Sequence, residues 1–360
     1  MDREECVRRA AELVPVLRER APQAEALRCI PQETIDDLCR ADLLRAPVPE
    51  RFGGCGLDVD LIPTVAAELG RGCGSTAWCY GIWAAGNWAV GMYPAPAQEE
   101  YWATGINTLC ANSLNPAGAT RVTVVPGGYR LSGQWDFASG GDAATWALVM
   151  GAGPAGVLVF LVPRADFAIH DTWFASGLRG TGSKDIVIDD AFVPEHRALP
   201  ATDMQEAHTP GRVIHETANY RIPTFSASGY ALGASLVGMA QLTGVQVRLA
   251  EATMEVEAAR LIMQHDLHAI LARARRNVMP TLEERLRTRR NQAYVVTLCV
   301  QAVNRLFAAG GGHALFDSSP LQRFHRDIHA ASHHAALSWD ILAEQYGRVL
   351  LGLEPTYLRF

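Results

Sequence analysis

Lysine is nearly missing from this 360-residue chain: Lys184 stands alone among 32 basic side chains. With a formal net charge of −6 and no basic stripe, the chain does not read as a nucleic-acid binder. No apolar run approaches the ~20 residues that span a bilayer, so no membrane segment is expected. The opening MDREECVRRAAELVPVL has neither the uninterrupted apolar core nor the small-residue cleavage site of a secretory signal, and a cytoplasmic location is expected. The eight cysteines include no CxxC pair and read as free thiols of a reducing compartment. No Gly-Lys-Ser/Thr loop and no GxGxxG opening a helix occur, which leaves nucleotide triphosphates and nicotinamide without a fingerprint.

What is present is an ordinary globular composition, 49% hydrophobic and 19% charged. The pattern divides the chain into residues 1–104, helical; 105–208, β-rich; and 209–360, helical again. This is an α+β organisation. In the first part Pro31 opens a helix over ETIDDLCRADLL. In the second, short runs such as RVTVVPG, GYRLSGQW and GVLVFLV alternate with turns, and VVPGGYRL reads as a hairpin turning at Gly127-Gly128. In the third, apolar stripes over 225–242, 244–272, 280–309 and 318–350 read as long helices of an antiparallel bundle.

Three phrases carry chemistry. GLRGTGS, residues 177–183, brings backbone N–H groups and the hydroxyls of Thr181 and Ser183 close to whatever faces it, although such a turn taken alone is more often structural. WDFASGGDAATW, residues 135–146, offers an aromatic and a serine at a strand end. QRFHRDIHAASHH holds Arg326-Asp327, with His334 seven residues on. At about 100° per residue, His334 returns to nearly the face of Asp327, and a histidine there can hold a proton near neutral pH. His325, His329 and His333 form a stripe of their own, read as scaffold and not as a metal site; no metal is expected.

Together these phrases resemble the flavin-dependent monooxygenase branch of the acyl-CoA dehydrogenase superfamily. The likeness runs from IPQETIDDL to YGRVLLGL. It implies an N-terminal helical domain, a central β-barrel or sandwich and a C-terminal antiparallel helical bundle. It implies a flavin between the β-domain and the bundle, with Ser139 beside flavin N5 and His334 facing flavin and substrate as the catalytic pair. Phe137, Asn112, Ser113, Thr181, Ser183, Gly311 and Gly312 are the expected cofactor contacts. Trp83, Gly86, Asn115 and Trp135 are expected around the substrate.

By the same likeness, a separate NAD(P)H:flavin reductase supplies reduced FMN or FAD. Reaction with O2 then gives a C4a-hydroperoxide that hydroxylates a small aromatic, polyketide- or alkaloid-type metabolite, and the chain assembles as a homotetramer or homodimer. N-oxygenation of an amine, an acyl-CoA dehydrogenase-like reaction and a protein that has lost flavin chemistry are the alternatives. For the dehydrogenase, Glu344 is the carboxylate to consider. The sequence departs from the family twice. Gly86 stands where aromatic hydroxylases of the branch carry a histidine, which implies a larger pocket there. The junction between Met239 and Val245 is abrupt.

Overall fold

Helices open the chain: α1 (Arg3–Leu27), α2 (Gln32–Arg40), α3 (Leu61–Gly70), α4 (Gly74–Val90) and α5 (Ala95–Trp102). This computed structural model describes residues 1–360 except 115, 117–119, 154–155, 241–245, 318 and 357–360. Asp2 caps α1 by accepting the Glu5 N–H at 2.9 Å, which satisfies one of the free donors of a helix start. Pro31 precedes α2 as its cap residue, so the helix begins one position later than its proline suggests.

The middle of the chain builds two four-stranded sheets. One runs β1 (Cys110–Ser113), β4 (Trp146–Gly153), β5 (Gly156–Pro163), β8 (Ala198–Pro200). The other runs β2 (Arg121–Val125), β3 (Gly128–Ala138), β7 (Lys184–Pro194), β6 (Ala168–His170). Leu131, Trp135, Val149, Phe160, Ile186 and Ile188 form a core of their own here. The β2–β3 hairpin turns one residue earlier than expected. Val125 pairs with Gly128, leaving Pro126-Gly127 as the turn. Proline pre-sets the first turn dihedral and Gly127, at φ +80°, takes the second, which a residue with a side chain would resist.

The remaining helices are α6 (Ala201–Gln205), α7 (Gly211–Ile214), α8 (Thr224–Ala240), α9 (Gln246–Arg275), α10 (Leu282–Ala309), α11 (Pro320–Ser332) and α12 (Trp339–Leu350). Helix α8 is apolar around its whole circumference, and its residues join those of α3 and α4 in one core with Trp83, Trp88, Tyr230 and Met239. The two helical parts of the sequence thus share a single core. A Thr281–Glu284 capping box starts α10.

The expected helix over 318–350 is corrected. It stops at Ser332, and His334 takes an extended conformation (φ −63°, ψ 130°) ahead of a 3-10 turn at Ala335–Leu337. The Leu337 N–H donates to the His334 carbonyl at 2.8 Å and closes that turn. Among the described residues, no helix is long and apolar enough to cross a membrane.

Candidate functional site

The β3 strand carries an irregularity where it matters most. Trp135 pairs with Ile186 and Ala138 with Lys184, so two residues of β3 face one of β7 between those pairs. A bulge of this kind re-aims side chains. Phe137 takes φ +64° and is thrown outward, 56% exposed, while Ser139 turns inward and is nearly buried. The Ser139 N–H donates back to the Phe137 carbonyl at 2.9 Å, and the Ser113 hydroxyl donates to the Asp136 carbonyl, fixing the bulge from β1.

Ser139 Oγ is the head of a chain of hydroxyls. It lies 2.7 Å from Ser183 Oγ, which lies 2.7 Å from Thr181 Oγ1, which donates to the Leu178 carbonyl at 2.8 Å. The Trp78 indole N–H donates to Ser139 Oγ at 3.1 Å. The edge of the same indole meets the His334 ring, with centroids 5.7 Å apart. Trp78 therefore joins the β-domain to the end of the bundle.

His334 Nδ1 accepts the Ala336 N–H at 3.2 Å, so the neutral ring carries its proton on Nε2. Burial, reinforced by the charge of Arg289, holds its pKa down at about 4. The expectation of a proton-holding histidine near neutral pH is corrected: the ring is neutral there and offers one N–H. Asp327 is committed within the protein. Its carboxylate accepts the Leu178 N–H at 2.7 Å, and burial raises its pKa to about 6.

Several expected contacts have other duties. Thr181 and Ser183 are buried with their hydroxyls bonded to each other, behind Ser139 and not beside it. Trp135 is sealed in the β-domain core with its N–H on the Met150 carbonyl at 2.7 Å. Trp83 is fully buried and its N–H supports the Gly140 carbonyl at 3.3 Å. The larger pocket expected at Gly86 is also corrected. A Cβ there would meet Cys110 Cβ at 2.9 Å and the Cys110 carbonyl at 3.1 Å, because α4 packs directly on β1.

Asn112 donates to the Ile82 carbonyl at 3.2 Å, and its buried Oδ1 has no partner among the described residues. Gly311 and Gly312 stand exposed in the turn after α10, with nothing within 4 Å of either Cβ position and no described contact to the cluster. Asn115 and most of the abrupt junction, residues 241–245, lie outside the described residues. In the histidine stripe, His325 stacks on Phe307 and His329 bonds Asn304 at 2.7 Å. Among the described residues no group of three His, Cys, Asp or Glu could hold a metal ion.

The residues missed by sequence are Trp78 and Leu178. Trp78 is one of three tryptophans on α4, and nothing in the spacing sets it apart.

These residues suit a flavin. An outward aromatic at Phe137, edge-on to the Trp173 ring at 6.2 Å, sits beside a hydroxyl with bonding capacity to spare. A flat heteroaromatic ring with a polar edge takes both. An open recess of about 720 Å3, lined by residues including Pro94, His196, Asp203 and His208, shares no residue with this cluster.

Comparison with known proteins points the same way. Residues 3–108 match the acyl-CoA dehydrogenase N-terminal domain and residues 231–339 match the acyl-CoA dehydrogenase C-terminal domain. The chain is 33% identical to the flavin-dependent monooxygenase oxygenase subunit HsaA of Rhodococcus jostii (strain RHA1), covering 96% of this chain and 97% of that protein. That match spans 374 positions, more than the whole chain, so gaps fall on this chain's side. The FADH(2)-dependent resorcinol hydroxylase oxygenase component of Rhizobium sp. (strain MTP-10005) is 32% identical, over 97% of this chain and 94% of that protein. The crystal structure of the HsaA monooxygenase from M. tuberculosis superposes with a TM-score of 0.94 at 31% identity, over 99% of both chains.

Proposed function

The chain belongs to the acyl-CoA dehydrogenase family, among its flavin-dependent monooxygenase oxygenase components, and from that premise we propose how its site works and on what. The enzyme is an oxidoreductase that uses reduced flavin. When bound, the flavin supplies the activation of O2 from which one oxygen atom passes to the substrate. The substrate is a small aromatic compound hydroxylated on carbon, as the name of the resorcinol-hydroxylating relative suggests. A separate reductase supplies the reduced flavin, and the chain works as a homo-oligomer. Exposed apolar side chains at Phe174, Leu315 and Phe316 support that assembly.

Within this reading each residue has a task. Phe137 gives the ring system an apolar face, and Ser139 meets its polar edge. The His334 Nε2–H donates to the oxygen atoms of the substrate or of the reacting group, without itself taking up a proton. Around Ser139, which is buried, the helical core and the β-domain exclude bulk water.

The observation that carries the reading is the indole of Trp78, which touches Ser139 through its N–H and His334 through its ring edge. One tryptophan brings together the two residues that the family resemblance singles out. The base considered for the dehydrogenase alternative stands elsewhere: Glu344 is exposed on α12 with no described contact to the cluster, and Asp327 is committed to Leu178.

The test mixes the protein anaerobically with reduced FMN or FAD and resorcinol, then adds 18O2. Hydroxylated product carrying one 18O is expected, together with a change in the rate of flavin reoxidation. Reoxidation at the rate of free flavin, with peroxide as the only product, sinks the reading.

A further inference from the structure

We infer that the open recess at the edge of the β-domain is a second binding site, built for a small organic ammonium compound with an apolar body. It is separate from the flavin cluster, with which it shares no lining residue.

The recess measures about 720 Å3, within the roughly 300–1,000 Å3 of small-molecule sites. Its walls are the β2–β3 turn at Gly127, residues 195–200, which end in β8, and residues 203–213, which lead from α6 into α7. Backbone bonds fasten these walls. The Glu195 N–H donates to the Gly127 carbonyl at 3.0 Å, the His208 N–H to the Asp203 carbonyl at 2.8 Å, and the Gly211 N–H to the Met92 carbonyl at 3.0 Å. Pro94, Pro200, Pro210 and Val213 give the recess apolar sides.

Acceptors dominate its polar groups. The carboxylates of Glu195 and Asp203 line it, and neither has a hydrogen bond or ion pair among the described residues. Among the described residues no lysine or arginine lines it. Arg197 is turned away onto Glu100 and over the Trp146 ring, and Arg212 onto the Ala207 carbonyl and Asn277. His196 Nε2 lies 2.9 Å from Glu100 Oε1, which can only accept, so the neutral ring keeps Nδ1 as an acceptor. Thr209 lines the recess too. It is 3% exposed, and its buried Oγ1 has no partner among the described residues. A buried hydroxyl seldom goes without a partner, and a ligand donor would supply one here. An ammonium group brings positive charge and three N–H donors with no acceptor. An anionic ligand would meet like charge, and a neutral arene would leave the acceptors unused.

The experiment titrates phenethylamine, phenylpropanoate and benzyl alcohol separately into the intact protein at neutral pH and low salt, by calorimetry, with and without FMN. The amine should bind with the same dissociation constant in both cases. It should bind about tenfold more tightly than the propanoate, which meets like charge, and more tightly than the alcohol. Glu195→Gln and Asp203→Asn should each weaken the amine about three- to fivefold, the worth of a partly exposed ion pair. Val213→Arg sets a cation on a side chain that is 85% exposed, so the fold is kept, and it should abolish amine binding. Unchanged amine affinity in the folded Val213→Arg protein puts the amine elsewhere and overturns the proposal. Equal binding of amine and propanoate overturns it as well, as does the absence of amine binding to the wild type at millimolar concentration.

Discussion

The carboxylate of Asp327 on α11 accepts a 2.7 Å hydrogen bond from the backbone N–H of Leu178 in the glycine loop. Leu178 is held in the left-handed region at φ 51°, a conformation that a side chain resists by roughly 1–2 kcal/mol. Arg326 ties down the same loop by donating to the Ser176 carbonyl at 2.6 Å, and pairs with Glu25 at 2.6 Å. Gly177 lies against this clamp so closely that a Cβ would stand 2.3 Å from the Arg326 carbonyl. The Arg-Asp pair is a fastener between bundle and β-domain, and the hydroxyl chain hangs from it.

Asp327→Ala removes the acceptor and leaves the Leu178 N–H without one. A loss of about 1–3 kcal/mol in chemical denaturation is expected. Asp327→Asn keeps an acceptor without the charge. Folded Asp327 titrates near 6 against an ordinary 3.8, so its favourable contribution is full below 3.8 and is lost as pH rises through 6. The stability of Asp327→Asn relative to wild type should therefore improve between about pH 4 and pH 7, by on the order of 1–3 kcal/mol. A difference that is flat across this range contradicts the assignment.

His334→Ala should lower coupled hydroxylation about tenfold or more, the value of one buried hydrogen-bond donor. His333→Ala should leave it intact, since that side chain is exposed and bonds the His329 carbonyl at 2.7 Å. The pH profile of turnover should show no limb from His334 above about pH 5, because burial holds its pKa at about 4. His215 is depressed to about 4 by the same cause. For both, stability is full above 6.5 and lost as pH falls towards 4, which an acid titration of the melting temperature would follow. A kinetic pKa near 6.5 that disappears in His334→Ala would refute the neutral tautomer.

Gly86→Ala should destabilise by about 1–3 kcal/mol, as overpacked contacts do, measured by denaturant unfolding. A Cβ at 2.9 Å from Cys110 Cβ forces α4 and β1 apart. If alanine is accepted there without loss, the contact is looser than described.

Phe137→Gly relieves the positive φ and should leave the flavin-free protein as stable as wild type or up to about 1 kcal/mol more so, while weakening flavin binding. Thermal melts with and without flavin separate the two effects. Weaker folding together with unchanged flavin affinity would show that the outward ring serves packing.

Trp135→Phe should lower stability by about 1 kcal/mol through the lost bond to the Met150 carbonyl, and leave substrate KM unchanged. A raised KM would return Trp135 to the substrate pocket.

The sequence by itself determined the helical, β and helical order, because periodicity and turn residues are local properties. It also singled out Ser139, Asp327 and His334 as candidates, since their spacings are carried by the family resemblance. It could not see that the last helix breaks before His334. No proline or glycine marks the break, and the capping bond to Ala336 exists only once the chain has turned. Gly86 looked like a vacancy in sequence, yet the closeness of α4 to β1 makes it a contact. Thr181 and Ser183 looked like ligand contacts. Tertiary structure decided otherwise by burying them where each hydroxyl must find its partner inside the protein, and a buried proton can be spent only once.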